Sequence, residues 1–218
     1  MNCLLVAATA KEISGFLDHY RHTDKTMFVD INIDVLVTGV GLTATTYNLT
    51  KYFHLKKPDF VIQAGIAGCF DPAIPLGALV AVKQDTIADE SVVESKELKT
   101  LFDLALVPQN QFPYTKGWLV NPDKGVFKRN KYKAVKAISI NHISTDRKMI
   151  NFYKEKFNPV IESMEGAALH YVCLSENIPF LQLRAVSNYI GERNKKNWKI
   201  KEAIVTLNKE LIRLLESL

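Results

Sequence analysis

Short apolar runs, each closed by glycine, proline or charge, alternate along this chain with stretches whose apolar residues recur every three or four positions. The first pattern is that of buried strands and the second that of helices with one face on a core. Cys3 to Ala8 reads as a first strand, and Thr9-Ala10-Lys11-Glu12 as the start of a helix. Met27 to Val29 and Ile31 to Val37 read as extended. The second of these runs into Thr38-Gly39-Val40-Gly41 and a helix from Leu42 to about Phe53, which Pro58 stops. Asp59 to Ala64 is a buried strand, and Gly65-Ile66-Ala67-Gly68 reads as a tight loop that lets backbone approach a ligand closely. Ala78 to Gln84 is another strand. Residues 86–125, with Pro108, Pro113 and Pro122, are less regular and suit an excursion that lids a site. The alternation then resumes with a strand from Lys133 through Ile140 and a helix from about Asp146 to Lys156. A short strand around Pro159 to Ile161, a helix from Met164 to Glu176 and a last buried strand from Pro179 to Val186 complete it. Ser187 to Trp198 is a polar loop. The terminal helix carries Ile200, Ala203, Ile204, Leu207, Leu211, Leu214 and Leu215 on one stripe. No repeat or linker interrupts the series, so it predicts a single α/β domain over residues 1–218, three layers α/β/α with helices on both faces of a sheet.

Composition narrows the class. With 218 residues, 47% of them apolar and 23% charged, the chain is suited to bury roughly 70% of its unfolded surface, which excludes a disordered or fibrous protein. Cys3, Cys69 and Cys173 form no C-x-x-C pair and are expected as free thiols in a reducing compartment. The N-terminal apolar run is too short for a signal peptide, and no run approaches the roughly 18 residues of a membrane span, so a cytoplasmic protein is expected. The net charge of +5 raises nucleic acid as a partner. Yet the densest basic stretch, Lys124, Lys128, Arg129, Lys131, Lys133 and Lys136, has few interleaved aromatics and reads as a solvated surface. His19, His22, His54, His142 and His170 lack metal-ligand spacing, and neither a metal nor another cofactor is expected.

Polar groups that could carry chemistry cluster at strand ends, where α/β sheets bind ligands. They are Glu12 after the first strand, Gly65 to Gly68, Glu162-Ser163-Met164-Glu165-Gly166 where a strand gives way to a helix, and Arg184 to Asn188 at the end of the last strand. Each also has a purely structural reading. Thr9-x-x-Glu12 fits a capping box, Glu165 suits the first turn of a helix, and a buried Arg184 needs Glu12 or Glu165 as counter-ion. The pairs Gly39-x-Gly41 and Gly65-x-x-Gly68 lack the partners of a full phosphate-binding motif.

Taken together, Val6-Ala7-Ala8-Thr9-Ala10-Lys11-Glu12, Thr38-Gly39-Val40-Gly41, Pro58 through Gly68, Glu162 through Ala168, and Pro179 through Asn188 resemble the nucleoside phosphorylase and nucleosidase superfamily, in its order and over nearly the whole chain. Glu-Ser-Met-Glu-Gly-Ala-Ala, with Ser187-Asn188-Tyr189-Ile190-Gly191-Glu192-Arg193 and Trp198, is most similar to the futalosine hydrolase branch. The resemblance implies a central mixed sheet, a purine nucleoside as ligand and a homo-oligomer, dimer or larger. It implies that Glu12 activates water, that Glu165 accepts from the ribose hydroxyls with Met164 against the sugar, and that Arg184 helps position the water. At position 188 the adenine-cleaving members carry aspartate. Asn188 offers a donor to a 6-oxo group and so suits hypoxanthine, but it cannot itself be an acid, which leaves the source of the leaving base's proton open.

Two departures stand out. Ile66 replaces a serine near the water, so backbone at Ile66 and Ala67 has to serve instead. The segment after Ile143 also lacks the aromatic residue that flanks the base, which points to backbone near Ile143 and to the 86–125 excursion for the base pocket. Arg193, backed by Lys195, Lys196 and an aromatic wall at Trp198, is a candidate for the carboxylate of futalosine, with a solvated loop arginine as the plain alternative. Three other functions remain open: an adenine-type nucleosidase, a purine nucleoside phosphorylase and a non-catalytic purine-binding protein. Gln63 and Glu12 stand where phosphorylases place arginines, which argues against phosphate as the attacking group.

Overall fold

The computed structural model describes residues 1–23, 31–130 and 132–217, with the side chains of 128–130 left aside. The expected extended segment Met27 to Val29 lies outside them, as do Lys131 and the side chains of Lys128 and Arg129 in the basic stretch. One mixed sheet organises the chain. It contains β1 (Asn2–Ala7), β2 (Asn32–Val37), β3 (Phe60–Cys69), β4 (Leu79–Asp85), β7 (Leu119–Val120), β8 (Lys133–Ser139), β9 (Ile161–Ser163) and β10 (Phe180–Tyr189). The path β10-β4-β8-β9 returns to β3, which also pairs directly with β10, so five strands close into a ring that β1 and β2 extend.

Alternation along the strands sorts the helices onto two faces. Cys3, Leu5 and Ala7 of β1 pack with Phe16 of α1 (Ser14–His22) and with Leu207, Leu211 and Leu214 of α6 (Ile200–Glu216). Leu4 and Val6 turn the other way, toward Leu49 and Phe53 of α2 (Leu42–Leu55) and Leu169 and Val172 of α5 (Gly166–Ser175). The helix α4 (Arg147–Phe157) starts on Asp146, whose side chain accepts from Met149 N, and packs Tyr153 and Phe157 on Phe70 and Ile138. A short α3 (Lys124–Asn130) precedes β8. No helix of the described residues is long and apolar enough to cross a membrane, and Cys3, Cys69 and Cys173 are buried and unpaired.

Three expectations need correction. Gly65 to Gly68 is no loop: β3 runs straight through it, because β10 pairs with it in parallel as far as Cys69. Thr9 to Ile13 form turns, and α1 begins only at Ser14. The 86–125 excursion is held to the outside. Its hairpin, β5 (Ser91–Glu94) and β6 (Glu97–Thr100), leans on α4, with Leu98 among Tyr153 and Phe157 and Asp103 paired to Lys156 at 2.6 Å.

The α5 face becomes polar toward the strand ends. Gln63, Gln182, Arg184, Asp85 and Ser139 are all buried there. The Oδ1 atom of Asp85 accepts from Thr86 N at 2.8 Å and Ser139 Oγ at 3.0 Å. The hydroxyls of Ser139 and Ser163 in turn accept from Ala167 N and Gly166 N, so serines rather than Glu165 cap α5. His170 donates from Nδ1 to Leu119 O at 2.9 Å, and burial pushes it down to about 4, leaving a neutral ring. Burial pushes the carboxyl of Asp85 up to about 7.

An acid raised in the fold contributes stability that is present below its unfolded value and lost as pH rises through its folded value. From pH 6 to 8 one group at about 7 loses roughly 1.4 kcal/mol, or about 3–5 °C in a domain of this size. Glu162, the other buried carboxyl lifted to about 7, loses a similar amount. His170, held neutral, gains roughly 0.8 kcal/mol over the same range, so Asp85→Asn is expected to remove most of the net fall in Tm between pH 6 and 8, measured by differential scanning calorimetry. A variant with the full wild-type fall would show that Asp85 is ionised throughout.

Candidate functional site

Where β1, β3, β9 and β10 end or part, the structure opens a cavity of about 320 Å³. Glu12, Ile66, Ala67, Ile143, Met164, Glu165, Asn188, Arg193 and Trp198 line it, together with residues to which the sequence assigned no role of their own, among them Glu162, Ser144 and Lys11. The sequence-expected Arg184 lies behind the wall at 1% exposure.

The position of Glu12 follows from the way the sheet splits. β1 pairs with β3 only as far as Gln63, and β9 takes its place from Gly68 onward. In the gap, Ile66 N donates to Glu12 Oε1 at 3.1 Å. Its other oxygen accepts from Thr9 N at 3.0 Å and Thr9 Oγ1 at 2.9 Å. Only half of a capping box is thus present, since the Thr9 hydroxyl serves the carboxylate instead of a helix N–H. The main chain at Glu12 is fixed from α6: Asn208 Nδ2 donates to Glu12 O at 2.8 Å and its Oδ1 accepts from Phe16 N at 2.7 Å. Asn208 was not foreseen, although a polar residue next to Leu207 on the helix stripe was a usable signal.

Glu165 is the second carboxylate. It leaves β9 into α5, accepts from Gly41 N at 3.2 Å and pairs with Arg184 Nη1 at 3.3 Å. Arg184 also donates from Nη2 to Gln63 Oε1 at 2.9 Å. Of the two possible counter-ions, the structure gives it Glu165. Both Arg184 and Glu12 crowd the α-carbon of Gly65, where a Cβ would lie 2.4 Å from Arg184 Nη1 and 3.0 Å from Glu12 Oε1. The glycine that looked like a turn signal serves this close approach.

At the far end, Asn188, Gly68 and Glu162 stand abreast on β10, β3 and β9. Asn188 Nδ2 donates to Tyr189 O at 3.3 Å, and its Oδ1 accepts from Ser187 Oγ at 2.8 Å. Glu162 accepts from Ser144 N at 3.3 Å and from Ser144 Oγ. Burial in this wall pushes its carboxyl up to about 7. At the mouth, the Arg193 guanidinium lies 5.7 Å from the ring centre of Trp198, whose Nε1 donates to Glu192 O at 3.0 Å. Arg193 and Lys11 are the cations among the described lining residues. No residue of the 86–125 excursion lines this cavity; Asp89 and Ser91 face an adjoining one with His142, Ile143 and Ser144. Ser144, Glu162, Gly68 and Asn188 form the inner wall of the main cavity.

Comparison with known proteins agrees with this architecture. The phosphorylase superfamily profile matches residues 5–218. Futalosine hydrolase of Thermus thermophilus is 27% identical over 83% of this chain and 80% of its own length. The 5′-methylthioadenosine/S-adenosylhomocysteine nucleosidase of Geobacillus thermodenitrificans is 28% identical over 76% of this chain and 70% of its own length. Among solved structures, the same kind of nucleosidase from Helicobacter pylori, with butyl-thio-DADMe-Immucillin-A, superposes with a TM-score of 0.79 at 17% identity, covering 100% of this chain and 99% of its own. Carboxylates on the walls of a strand-end cavity, a sheet closed through β3 and β10, and a profile match over nearly the whole length together make this chain a member of the phosphorylase superfamily.

Proposed function

We propose that this enzyme is an N-glycosidase that hydrolyses futalosine, releasing hypoxanthine and dehypoxanthine futalosine, a step of the alternative menaquinone pathway. Identity alone does not separate the two nucleosidase types among its relatives, at 27% and 28%. The observation that carries the choice is the amide of Asn188 in the cavity wall, its oxygen engaged by Ser187. A nitrogen donor is thereby left for the base, which suits a 6-oxo group and not a 6-amino group.

In this reading Glu12 takes a proton from water as the water oxygen bonds to C1′ and the C1′–N9 bond breaks, its electron pair leaving with the base. Three donors hold the Glu12 carboxylate, Ile66 N among them, so its lone pairs are oriented before substrate arrives. Glu165 accepts from the ribose hydroxyls and favours positive charge growing on the sugar. Arg184 acts from behind, as the buried counter-ion of Glu165. Phosphate as the attacking group fits poorly, since it would meet Glu12 while the buried guanidinium is already paired.

Three variants test this reading. Glu12→Gln is expected to lose roughly 10²- to 10⁴-fold in turnover of futalosine while still binding hypoxanthine; unchanged turnover would leave Glu12 a structural residue only. For Asn188→Asp, the expected outcome is a sharp drop with 6-oxopurine nucleosides and a relative gain with 6-amino ones, scored as the ratio of kcat/KM values. A ratio that stays put would remove Asn188 from base selection. Arg193→Ala is expected to raise KM for futalosine roughly tenfold or more and to leave inosine hydrolysis nearly unchanged, as a charged hydrogen bond to the distal carboxylate is lost. Equal loss for both substrates would assign Arg193 to loop shape.

A further inference from the structure

The polar wall at the inner end of the cavity has a pattern that the hydrolytic residues do not use. Glu162 pairs with Gly68 across one edge of β3, and Asn188 pairs with the same glycine across the other. Strands lie about 4.8 Å apart, so the two α-carbons stand roughly 10 Å apart. Gly68 contributes no side chain between them, and Ile190 fills that space, its Cδ1 2.4 Å from where a Cβ would be. The result is an apolar floor with a polar group on either side, both open to the cavity. Such a slot fits a flat heterocycle lying on Ile190 with hydrogen bonds to two adjoining positions of its rim.

The two polar groups differ in kind. The Asn188 amide is oriented by Tyr189 O and Ser187 Oγ, and presents N–H to the cavity. Glu162 presents oxygen. Among the described residues no cation pairs with it; its partners are the N–H and hydroxyl of Ser144. A carboxylate has about four lone-pair sites, so these two bonds leave it able to accept more. A 6-oxopurine places an N–H donor at N1 beside an acceptor at O6, whereas a 6-aminopurine has an acceptor at N1 beside a donor. The wall complements the first and opposes the second at both atoms.

We infer that Glu162 is a specificity-determining residue that accepts the N1–H of a 6-oxopurine whose O6 takes the amide N–H of Asn188. The inference rests on the reading of the substrate as a 6-oxopurine nucleoside and names the residue that completes it. Burial lifts the Glu162 carboxyl to about 7, and a bound N–H donor favours its ionised form. Its neighbour Ser144 then acts as a positioning residue, holding the carboxylate in the plane of the base.

The test is binding of free bases, measured by isothermal titration calorimetry. Wild-type protein is expected to bind hypoxanthine about 10- to 100-fold more tightly than 1-methylhypoxanthine, in which the N1 donor is replaced, and more tightly than adenine. In Glu162→Gln, hypoxanthine affinity is expected to drop about tenfold or more and the gap to adenine to narrow, because the new amide can turn its N–H toward adenine N1. Wild-type protein that bound 1-methylhypoxanthine as well as hypoxanthine, or bound neither, would overturn the inference, and this arm needs no variant to fold. Retention of full hypoxanthine preference in Glu162→Gln would overturn it too. Base binding is read without cleavage, so the two readings fail separately. Selection of hypoxanthine through Glu162 with futalosine left intact would sink only the substrate assignment, while cleavage of futalosine without discrimination at N1 would sink only the role of Glu162.

Discussion

The guanidinium of Arg184 has been taken out of water, and the arrangement of the site follows from satisfying it. A buried charge without a partner costs several kcal/mol, so the strands around Arg184 must supply one. Glu165 supplies the opposite charge and Gln63 a neutral acceptor. Each comes from a different element, which ties β10, the start of α5 and β3 together at the level where the cavity opens. The ion pair is weak support for stability as such, because apolar residues could fill the same volume. What it secures is a carboxylate held in one orientation at the edge of an apolar cavity.

Space for that pair is made by leaving a side chain out. At Gly65 the guanidinium and the Glu12 carboxylate both lie where a Cβ would be. One missing methyl group therefore lets two charged side chains approach the centre of a continuous strand. The splitting of the sheet is the second half of the device: because β1 leaves β3 before β9 joins it, the N–H of Ile66 is available to Glu12. A side-chain hydroxyl is not needed at position 66 when the sheet itself provides a donor.

Most of the layer order could be read from the chain, because β1, β3 and β10 are long enough and apolar enough to be strands and little else. The inner details could not. Gly65 and Gly68 were legible as places of close approach, but sequence does not say whether backbone turns there or a distant side chain comes near, and here the side chains of Arg184 and Ile190 do. Glu162 was hidden because its importance depends on pairing across Gly68 with a strand of which only the chain's fold knows the register. The place of residues 86–125, open to a lid in the sequence, was hidden for a similar reason. Nothing local in that segment reports that Leu98 and Asp103 find α4 and hold the hairpin away from the cavity. Glu12, Glu165 and Asn188 were legible because each sits at a strand end, where chain direction alone fixes which side of the molecule it faces.

The same geometry separates tasks that a smaller site would have to combine. In the proposed mechanism bond cleavage falls to Glu12 and Glu165, which are held by backbone N–H groups and a buried arginine, and these rigid partners keep their lone pairs aimed. The proposed choice of base falls to Glu162 and Asn188, one strand away on either side of Gly68 and bonded to neither Glu12 nor Glu165. The proposed contact with the distal end of the substrate falls to Arg193 on Trp198, in a loop outside the sheet. A change of base preference can therefore arise at two positions without disturbing the Arg184–Glu165 pair. A change in the distal group can arise in the loop without disturbing either. On the proposed reading this separation lets one fold change its choice of base and of distal group independently of bond cleavage.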